Sequence, residues 1–172
     1  RGNINYFFSK NKINLNDTFF NKYFSHVAQF PFLFIGDVYS NIVGYEYENI
    51  NQNLLNKCLY YSCLDEDIKK GRLDIRDKVG ERGGKLSGGQ RQRIGIARAI
   101  YGLLSQKKHI LILDECTSAL DHETSRKIME RLLEIKPRIT IILVTHRIDL
   151  LSYFDKTYMI DAKNVYLKKW MI

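Results

Sequence analysis

The sequence contains few of the residues that interrupt or cross-link a chain. It has two prolines, 11 glycines and no low-complexity stretch among 172 residues, which excludes a proline-rich linker or a disordered tail. No apolar run approaches the roughly 18 residues of a membrane-spanning helix, and no signal peptide is visible. The three cysteines, Cys58, Cys63 and Cys116, form neither a CxxC pair nor a metal-binding spacing. We therefore expect one domain, or most of one, with cysteines buried as small apolar residues in a reducing compartment.

The chain carries a surplus of positive charge, with 27 lysines and arginines against 19 acidic residues and a net charge of +8. These basic residues are spread along the chain and are not gathered with aromatic residues in one stripe. We therefore expect no nucleic-acid partner. The charge is compatible with an ordinary solvated surface, and equally with a domain that lies beneath an anionic membrane leaflet.

The second half of the sequence alternates between helical and strand patterns. Ser87 is a suitable N-cap for a helix that reaches about Ser105, with apolar residues at spacings of three and four. An apolar strand over 109–113 follows, and Asp121 then caps a second helix. The continuous apolar run 140–144 predicts a second strand that is buried on both faces. This strand–helix–strand order indicates a parallel α/β sheet.

The first half contains weaker patterns. They predict a small hairpin (3–8 and 12–15), a strand from His26 to Phe30 that ends at Pro31, and a helical stretch (38–77) with a stripe of Ile50, Leu54, Leu55, Leu59 and Leu64. A last hairpin is expected at 157–160 and 165–168. We divide the chain into a partial core (1–37), a helical subdomain (38–85) and a region containing a long helix and the remaining core (86–172).

Two motifs carry the strongest chemical signal. The stretch Leu86–Arg93 reads LSGGQRQR, and its glycines stand at a predicted helix start, where free backbone N–H groups and the helix dipole favour phosphate. About twenty residues later, the strand ILILDE ends in Asp114 and Glu115. Carboxylates at the carboxyl end of a parallel strand lie where such sheets bind ligands.

Two further polar residues follow predicted strands. Gln29 lies in VAQFPFLF, and His146 directly follows TIILVT. Taken singly, each has an ordinary structural role, such as an edge-strand glutamine or a strand-end histidine. The remaining histidines, His26, His109 and His122, have no neighbouring motif and are interpreted as surface or strand-end residues.

In this order the motifs resemble the nucleotide-binding domain of ATP-binding-cassette (ABC) proteins of the exporter type, from about Ala28 to Asp161. The resemblance implies a P-loop NTPase (RecA-like) parallel sheet with a helical subdomain. It further implies that ATP and Mg²⁺ are bound. The parent protein would be an ABC-type ATPase that couples ATP hydrolysis to export, at the cytoplasmic face of a membrane.

The resemblance also implies roles for four residues around the phosphates. Asp114 would be the Walker B aspartate, which holds Mg²⁺ through water, and Gln29 would bind the same ion. Glu115 would polarise the attacking water, since this chemistry needs one carboxylate for the metal and another for the nucleophile. His146 would be the switch histidine that contacts the γ-phosphate.

A second group is expected to act between two subunits. By resemblance, the signature residues Ser87, Gly88, Gly89 and Gln90 would close over ATP bound by a second nucleotide-binding domain in a head-to-tail dimer. Asp121, in the loop SALD, would cross the same interface and contribute to nucleotide binding.

The loop Val79–Gly83, VGERG, resembles an exporter loop that touches the coupling helices of the transmembrane domains. The predicted partners are therefore these domains and the second nucleotide-binding domain. Phe30 departs from the exporter pattern, which usually has an acid there, and Cys116 stands where alanine or proline is commoner.

The phosphate-binding loop of the family, G-x-x-x-x-G-K-[ST], does not occur in this sequence. Gly84-Lys85 is the only Gly-Lys pair, but Leu86 follows it and Val79 stands at the first glycine position. We therefore expect a C-terminal fragment of a nucleotide-binding domain that is inactive alone. Two alternatives stay open: a soluble ABC ATPase of DNA repair, chromosome organisation or translation, and a degenerate partner cassette that presents its signature to a complete subunit.

Overall fold

The computed structural model describes residues 6–8, 11–13, 17–44, 51–161 and 164–168. The strands are β1 (Tyr6–Phe8), β2 (Asn11–Ile13), β3 (Phe24–Val27), β4 (Ile110–Asp114), β5 (Thr140–Val144), β6 (Thr157–Asp161) and β7 (Asn164–Lys168). The α-helices are α1 (Asp17–Tyr23), α2 (Val38–Val43), α3 (Gln52–Tyr61), α4 (Leu64–Lys69), α5 (Gly88–Ser105) and α6 (His122–Leu133). Short 3₁₀ turns lie at Glu81–Gly83, Lys136–Arg138 and Ile148–Tyr153. Within this part of the chain, no helix is long and apolar enough to cross a bilayer.

The central sheet places three strand ends side by side. Its strands run parallel in the order β3-β4-β5, with Val27 opposite Leu113 and Asp114 opposite Val144. The carboxyl ends of all three strands therefore share one edge, where ligands bind in parallel α/β sheets. This arrangement, with α2 to α4 inserted between Gln29 and the signature, confirms the predicted fold class.

Helix α5 begins at a reciprocal cap. Ser87 Oγ accepts a hydrogen bond from Gln90 N at 3.1 Å, and Gln90 Oε1 accepts one from Ser87 N at 2.9 Å. Such a capping box satisfies two backbone donors at once. The apolar face predicted from the sequence is buried, namely Ile94, Ala97, Ile100 and Leu103, with Leu104 partly buried. The predicted helix and its N-cap are confirmed.

The sequence placed the first core strand too late. We predicted His26–Phe30, whereas β3 runs from Phe24 to Val27 and follows α1 directly. The apolar residues beyond Val27 have no ladder to join, because β3 and β4 stop pairing at Val27 and Leu113. Gln29 therefore lies in an exposed loop beyond the strand.

The prediction that 140–144 is buried on both faces was wrong. Strand β5 has the predicted bounds, but its side chains alternate between exposed and half-buried. Ile142 is 44% exposed and Val144 is 49% exposed. A continuous apolar run is buried only where both faces are covered, and among the described strands β5 pairs with β4 alone.

The remaining elements follow the predictions, except that the helical stretch expected to reach 77 ends at Lys69. The last hairpin pairs Asp161 with Asn164, so each strand extends one residue further into the turn than expected. The β1–β2 hairpin is present, and the predicted 3–5 and 14–15 lie outside the described residues. In the helical region Leu55, Leu59 and Leu64 are buried and Leu54 is partly buried, whereas Ile50 lies outside the described residues.

The three cysteines are buried, as predicted. Burial raises the pKa of the thiol to about 12 at Cys58 and Cys116 and to about 11 at Cys63. Because the thiolate is the reactive form, we expect no thiol to react with Ellman's reagent at neutral pH in the folded chain. All three should react after addition of denaturant. Rapid labelling before unfolding would contradict the described packing.

Candidate functional site

The structure brings together the three residues that follow the strand ends. Gln29 lies two positions after β3, Glu115 directly follows β4, and His146 lies two positions after β5. Gln29 Nε2 donates a 2.8 Å hydrogen bond to Glu115 Oε2. His146 Nε2 lies 2.8 Å from the other carboxylate oxygen, Oε1. The glutamine and the histidine therefore hold the Glu115 carboxylate from both sides.

The backbone of Glu115 is held in an unusual conformation. Its φ of +44° is in the left-handed region, which costs a non-glycine residue about 1–3 kcal/mol and is concentrated at functional sites. Its N–H donates to Val144 O at 2.9 Å, and its carbonyl accepts from Ser118 N at 3.0 Å. These bonds hold the turn that presents the carboxylate at the sheet edge.

The two ends of the Glu115–His146 pair differ in exposure. The glutamate side chain is 25% exposed, whereas the histidine side chain is 91% exposed. An ionised carboxylate can only accept hydrogen bonds, so a histidine that carries its proton on Nε2 suits this contact. The pair therefore presents an accessible imidazole whose orientation is set by a half-buried acid.

Asp114 and Gln29 are the two residues beside Glu115 whose side-chain oxygen atoms could bind a metal ion. Asp114 is the last residue of β4 and is half-buried. Gln29 gives its amide nitrogen to Glu115, which leaves its Oε1 free to face a cation or a water. Among the described residues, no group of three or more His, Cys, Asp or Glu side chains could hold a metal. One carboxylate and one amide oxygen fit Mg²⁺, which keeps several of its waters in protein sites.

The signature glycines pack against the turn that follows Glu115. A Cβ atom at Gly89 would lie 3.3 Å from Ala119 O and 3.3 Å from Leu120 Cδ2, and one at Gly88 would lie 3.7 Å from Ala119 Cβ. Glycine at 89 allows this close approach, because a Cβ atom there would make tighter contacts than most Cβ atoms do. The described contacts thus join the signature to the 118–121 turn, while Gln29, Glu115 and His146 form a separate group.

Asp121 acts as a helix cap in this structure. Its Oδ1 accepts from Thr124 N at 2.8 Å, and its Oδ2 accepts from Thr124 Oγ1 at 2.7 Å. These hydrogen bonds lower the pKa of the carboxyl group. The predicted N-cap is confirmed, and the role of Asp121 in nucleotide binding stays a prediction.

Arg98, on α5, is a site-positioning residue that the sequence did not reveal. Its guanidinium donates to Phe32 O at 2.7 Å, to Asn41 O at 2.6 Å and to Asn41 Oδ1 at 2.9 Å. Burial lowers its pKa. The arginine ties the signature helix to the loop after Gln29, and its spacing from these partners, 57 and 66 residues, leaves no local signal in the sequence.

An apolar surface lies on the loop that follows Gln29. Phe30 is 81% exposed, Phe32 is 68% exposed and Ile35 is 77% exposed. The predicted glycine-rich loop Val79–Gly83 lies beside it, since Val79 N donates to Gly36 O at 3.0 Å. Three large apolar side chains exposed on one loop are typical of a surface that another protein covers.

Comparison with known proteins assigns the chain to a family. The family model described as "ABC transporter" matches residues 1–118. The chain belongs to the ABC transporter family. The motif resemblance and the parallel α/β fold predicted from the sequence are thereby confirmed.

Similar ABC transporter proteins are long and include exporters. The chain is 36% identical over 154 residues to the pediocin PA-1 transport/processing ATP-binding protein PedD of Pediococcus acidilactici, covering 88% of this chain and 21% of that protein. It is 33% identical over 139 residues to the ATP-dependent lipid A-core flippase of Xanthomonas euvesicatoria pv. vesicatoria, covering 81% of this chain and 23% of the flippase. The chain thus spans about a fifth of the length of these relatives.

A solved structure shares this fold of the ABC transporter family. It is a bacterial Atm1-family ABC exporter with ATP bound, and it superposes with a TM-score of 0.75 at 28% identity. The match covers 88% of this chain and 26% of the exporter chain. The predicted likeness to exporters therefore has support from both sequence and structure.

Proposed function

We propose that this chain forms part of the ATP-binding domain of an ABC exporter, in which ATP binding and hydrolysis drive export across a membrane. One observation carries the proposal: the Glu115 carboxylate is held between Gln29 and His146 at the shared edge of β3, β4 and β5. An acid fixed on both oxygens can orient a water molecule in one direction, as hydrolysis of a phosphoanhydride requires.

Each residue of the site has a separate part in this proposal. Glu115 orients the attacking water, and His146 donates a hydrogen bond to the γ-phosphate of ATP, the substrate. Asp114 and Gln29 hold Mg²⁺, partly through water. The ion would neutralise phosphate charge and position the substrate.

The signature is proposed to act on a second copy of the domain. Ser87 is exposed at the start of the 18-residue helix α5, and Gly88 and Gly89 are only half-buried. The free N–H groups and dipole of this helix start favour phosphate. In a head-to-tail dimer, Ser87, Gly88, Gly89 and Gln90 would contact ATP held by the partner domain, with Asp121 at the same interface.

The transmembrane domains are the proposed partner of the apolar loop. Phe30, Phe32 and Ile35 are exposed beside the Val79–Gly83 loop, and covering them would bury apolar area that is otherwise in contact with water. We propose on this ground that the domain lies at the cytoplasmic face of a membrane.

The proposal is tested on the complete protein in lipid vesicles. We expect ATP hydrolysis that stops when EDTA removes Mg²⁺, and His146→Ala should lower kcat about 100-fold, the usual contribution of a positioned proton donor. His109→Ala, at an exposed histidine that directly precedes β4 and therefore lies at the opposite edge of the sheet from Glu115, is the matched control and should keep full activity. Hydrolysis that persists in EDTA, or that depends on added duplex DNA, would contradict an exporter ATPase.

The chain alone is expected to bind ATP weakly and not to hydrolyse it. Its sequence has no G-x-x-x-x-G-K-[ST] loop, and each lost charge-assisted hydrogen bond costs about 1.5–3 kcal/mol. About three such bonds correspond to at least a ~1,000-fold loss of affinity. Calorimetric titration with ATP measures this directly, and a micromolar dissociation constant for the isolated chain would contradict the expectation.

A further inference from the structure

Arg147, the neighbour of the proposed switch histidine, has a dense set of contacts outside the site described above. Its guanidinium donates to Ser125 Oγ at 2.6 Å and to Asp149 Oδ2 at 2.8 Å, and it lies 2.8 Å from His122 Nδ1. The arginine side chain is only 18% exposed. The Arg147 guanidinium is therefore fixed in position, because several partners bind it and little of it is in contact with water.

These partners include the first turn of α6, directly after the 118–121 turn. Ser125 is fully buried, and its Oγ also donates to Asp121 O at 2.8 Å. The hydrogen bond from Arg147 lowers the pKa of Asp149 to about 2, so the carboxylate stays ionised and paired throughout the neutral range. The contact between the histidine loop and α6 is made by Ser125 and His122.

The loop between β5 and Arg147 is short and locally braced. Arg147 N donates to Thr145 Oγ1 at 3.0 Å, across His146. The histidine itself is 91% exposed, and its described contact is with Glu115. Its backbone position is therefore set chiefly by the residue that follows it, which is anchored to α6.

We infer that Arg147 is a positioning residue that holds His146 against Glu115 by fixing its loop to the first turn of α6. The anchor closes a ring of contacts: Glu115 leads through the 118–121 turn to Asp121, Ser125 joins Asp121 to Arg147, and His146 returns to Glu115. A shift of the 118–121 turn, against which the signature glycines pack, would thereby reach His146. This inference rests on the proposed function of His146 and Glu115.

The test is a double-mutant cycle in the complete transporter, read as kcat for ATP hydrolysis. Arg147→Met should lower kcat about tenfold or more, since a displacement of about 1 Å can cost up to 100-fold, with KM for ATP changed less than about twofold. Arg147→Met with His146→Ala should be no slower than His146→Ala alone, because the arginine acts through the histidine. The control is Arg126→Met, which removes an exposed arginine of α6. This variant should keep wild-type kcat.

A second variant keeps the test decisive if the first folds poorly or if His146→Ala falls below detection. Guanidinium ion added to Arg147→Ala should restore part of the rate, and it should restore nothing to His146→Ala. Three results would overturn this inference and leave the proposed function intact. They are losses that multiply in the double mutant, a wild-type rate for Arg147→Met, and no rescue of Arg147→Ala. A wild-type rate for His146→Ala would instead overturn the proposed function on which it rests.

Discussion

Glu115→Gln in the complete transporter should lower ATP hydrolysis at least about 100-fold while ATP binding stays intact. The amide keeps the shape of the side chain and can still accept a hydrogen bond from Gln29. It lacks the negative charge that orients water, and its NH₂ group would face His146 where a carboxylate oxygen now lies. Single-turnover hydrolysis beside an ATP-binding assay measures both effects.

The matched control is Glu134→Gln, which makes the same change at an exposed carboxylate bound to Tyr60. It should leave both hydrolysis and binding unchanged. Wild-type hydrolysis by Glu115→Gln would remove Glu115 from the proposed role. Equal loss of hydrolysis and ATP binding would indicate that the substitution disrupts the site as a whole.

The second large effect concerns the signature. In the complete dimer, Ser87→Arg should abolish hydrolysis at the site that this signature covers and leave ATP binding in the same subunit intact. Ser87 is exposed at the start of α5, so a long cation there obstructs closure against a facing domain. Loss of the cap adds about 1 kcal/mol of instability. Asn51→Arg, at the N-cap of α3, removes an equivalent cap and should leave hydrolysis unchanged.

Mixed dimers show on which subunit the signature acts. One subunit carries Ser87→Arg and the other a broken phosphate loop. If the signature acts on the partner, both lesions fall on one composite site, the other site stays whole, and about half of the activity survives unless the two sites are strictly coupled. If it acts on its own subunit, each lesion disables a different site and activity vanishes.

A further control distinguishes coupling between the two ATP sites from the question of which site the signature covers. In a dimer of one Ser87→Arg subunit and one wild-type subunit, ATP should no longer protect the site of the wild-type subunit. It should still protect the site of the Ser87→Arg subunit. Loss of protection in its own site would refute the assignment of Ser87, Gly88, Gly89 and Gln90 to the partner's nucleotide.

The positions of the candidate site residues, after strands and at helix starts, could be predicted because their signals are local. Glu115 and His146 each follow an apolar run, and parallel strands bring such residues to one edge. Ser87 and Asp121 were predicted as helix caps from the pattern of polar residues before apolar helices, and both are caps in the structure. Such features depend on a few neighbouring residues, so a single sequence carries them.

The features that were missed depend on residues far apart in the chain. Strand β3 ends where its pairing with β4 ends, at Val27 and Leu113. The exposure of Ile142 depends on which other parts of the chain cover β5. Neither is written in the local pattern of apolar residues. Arg147 was not singled out from the sequence, because its partners on α6 lie 22 and 25 residues away.

The most direct test of the central claim is a structure of the Glu115→Gln transporter trapped with Mg-ATP. We predict that His146 and the residue at 115 lie next to each other beside the γ-phosphate, with His146 within hydrogen-bond distance of it, about 3 Å. We also predict that Ser87 of one subunit contacts the ATP of the other. A γ-phosphate bound away from His146, or a signature closed over the nucleotide of its own subunit, would contradict the proposed site.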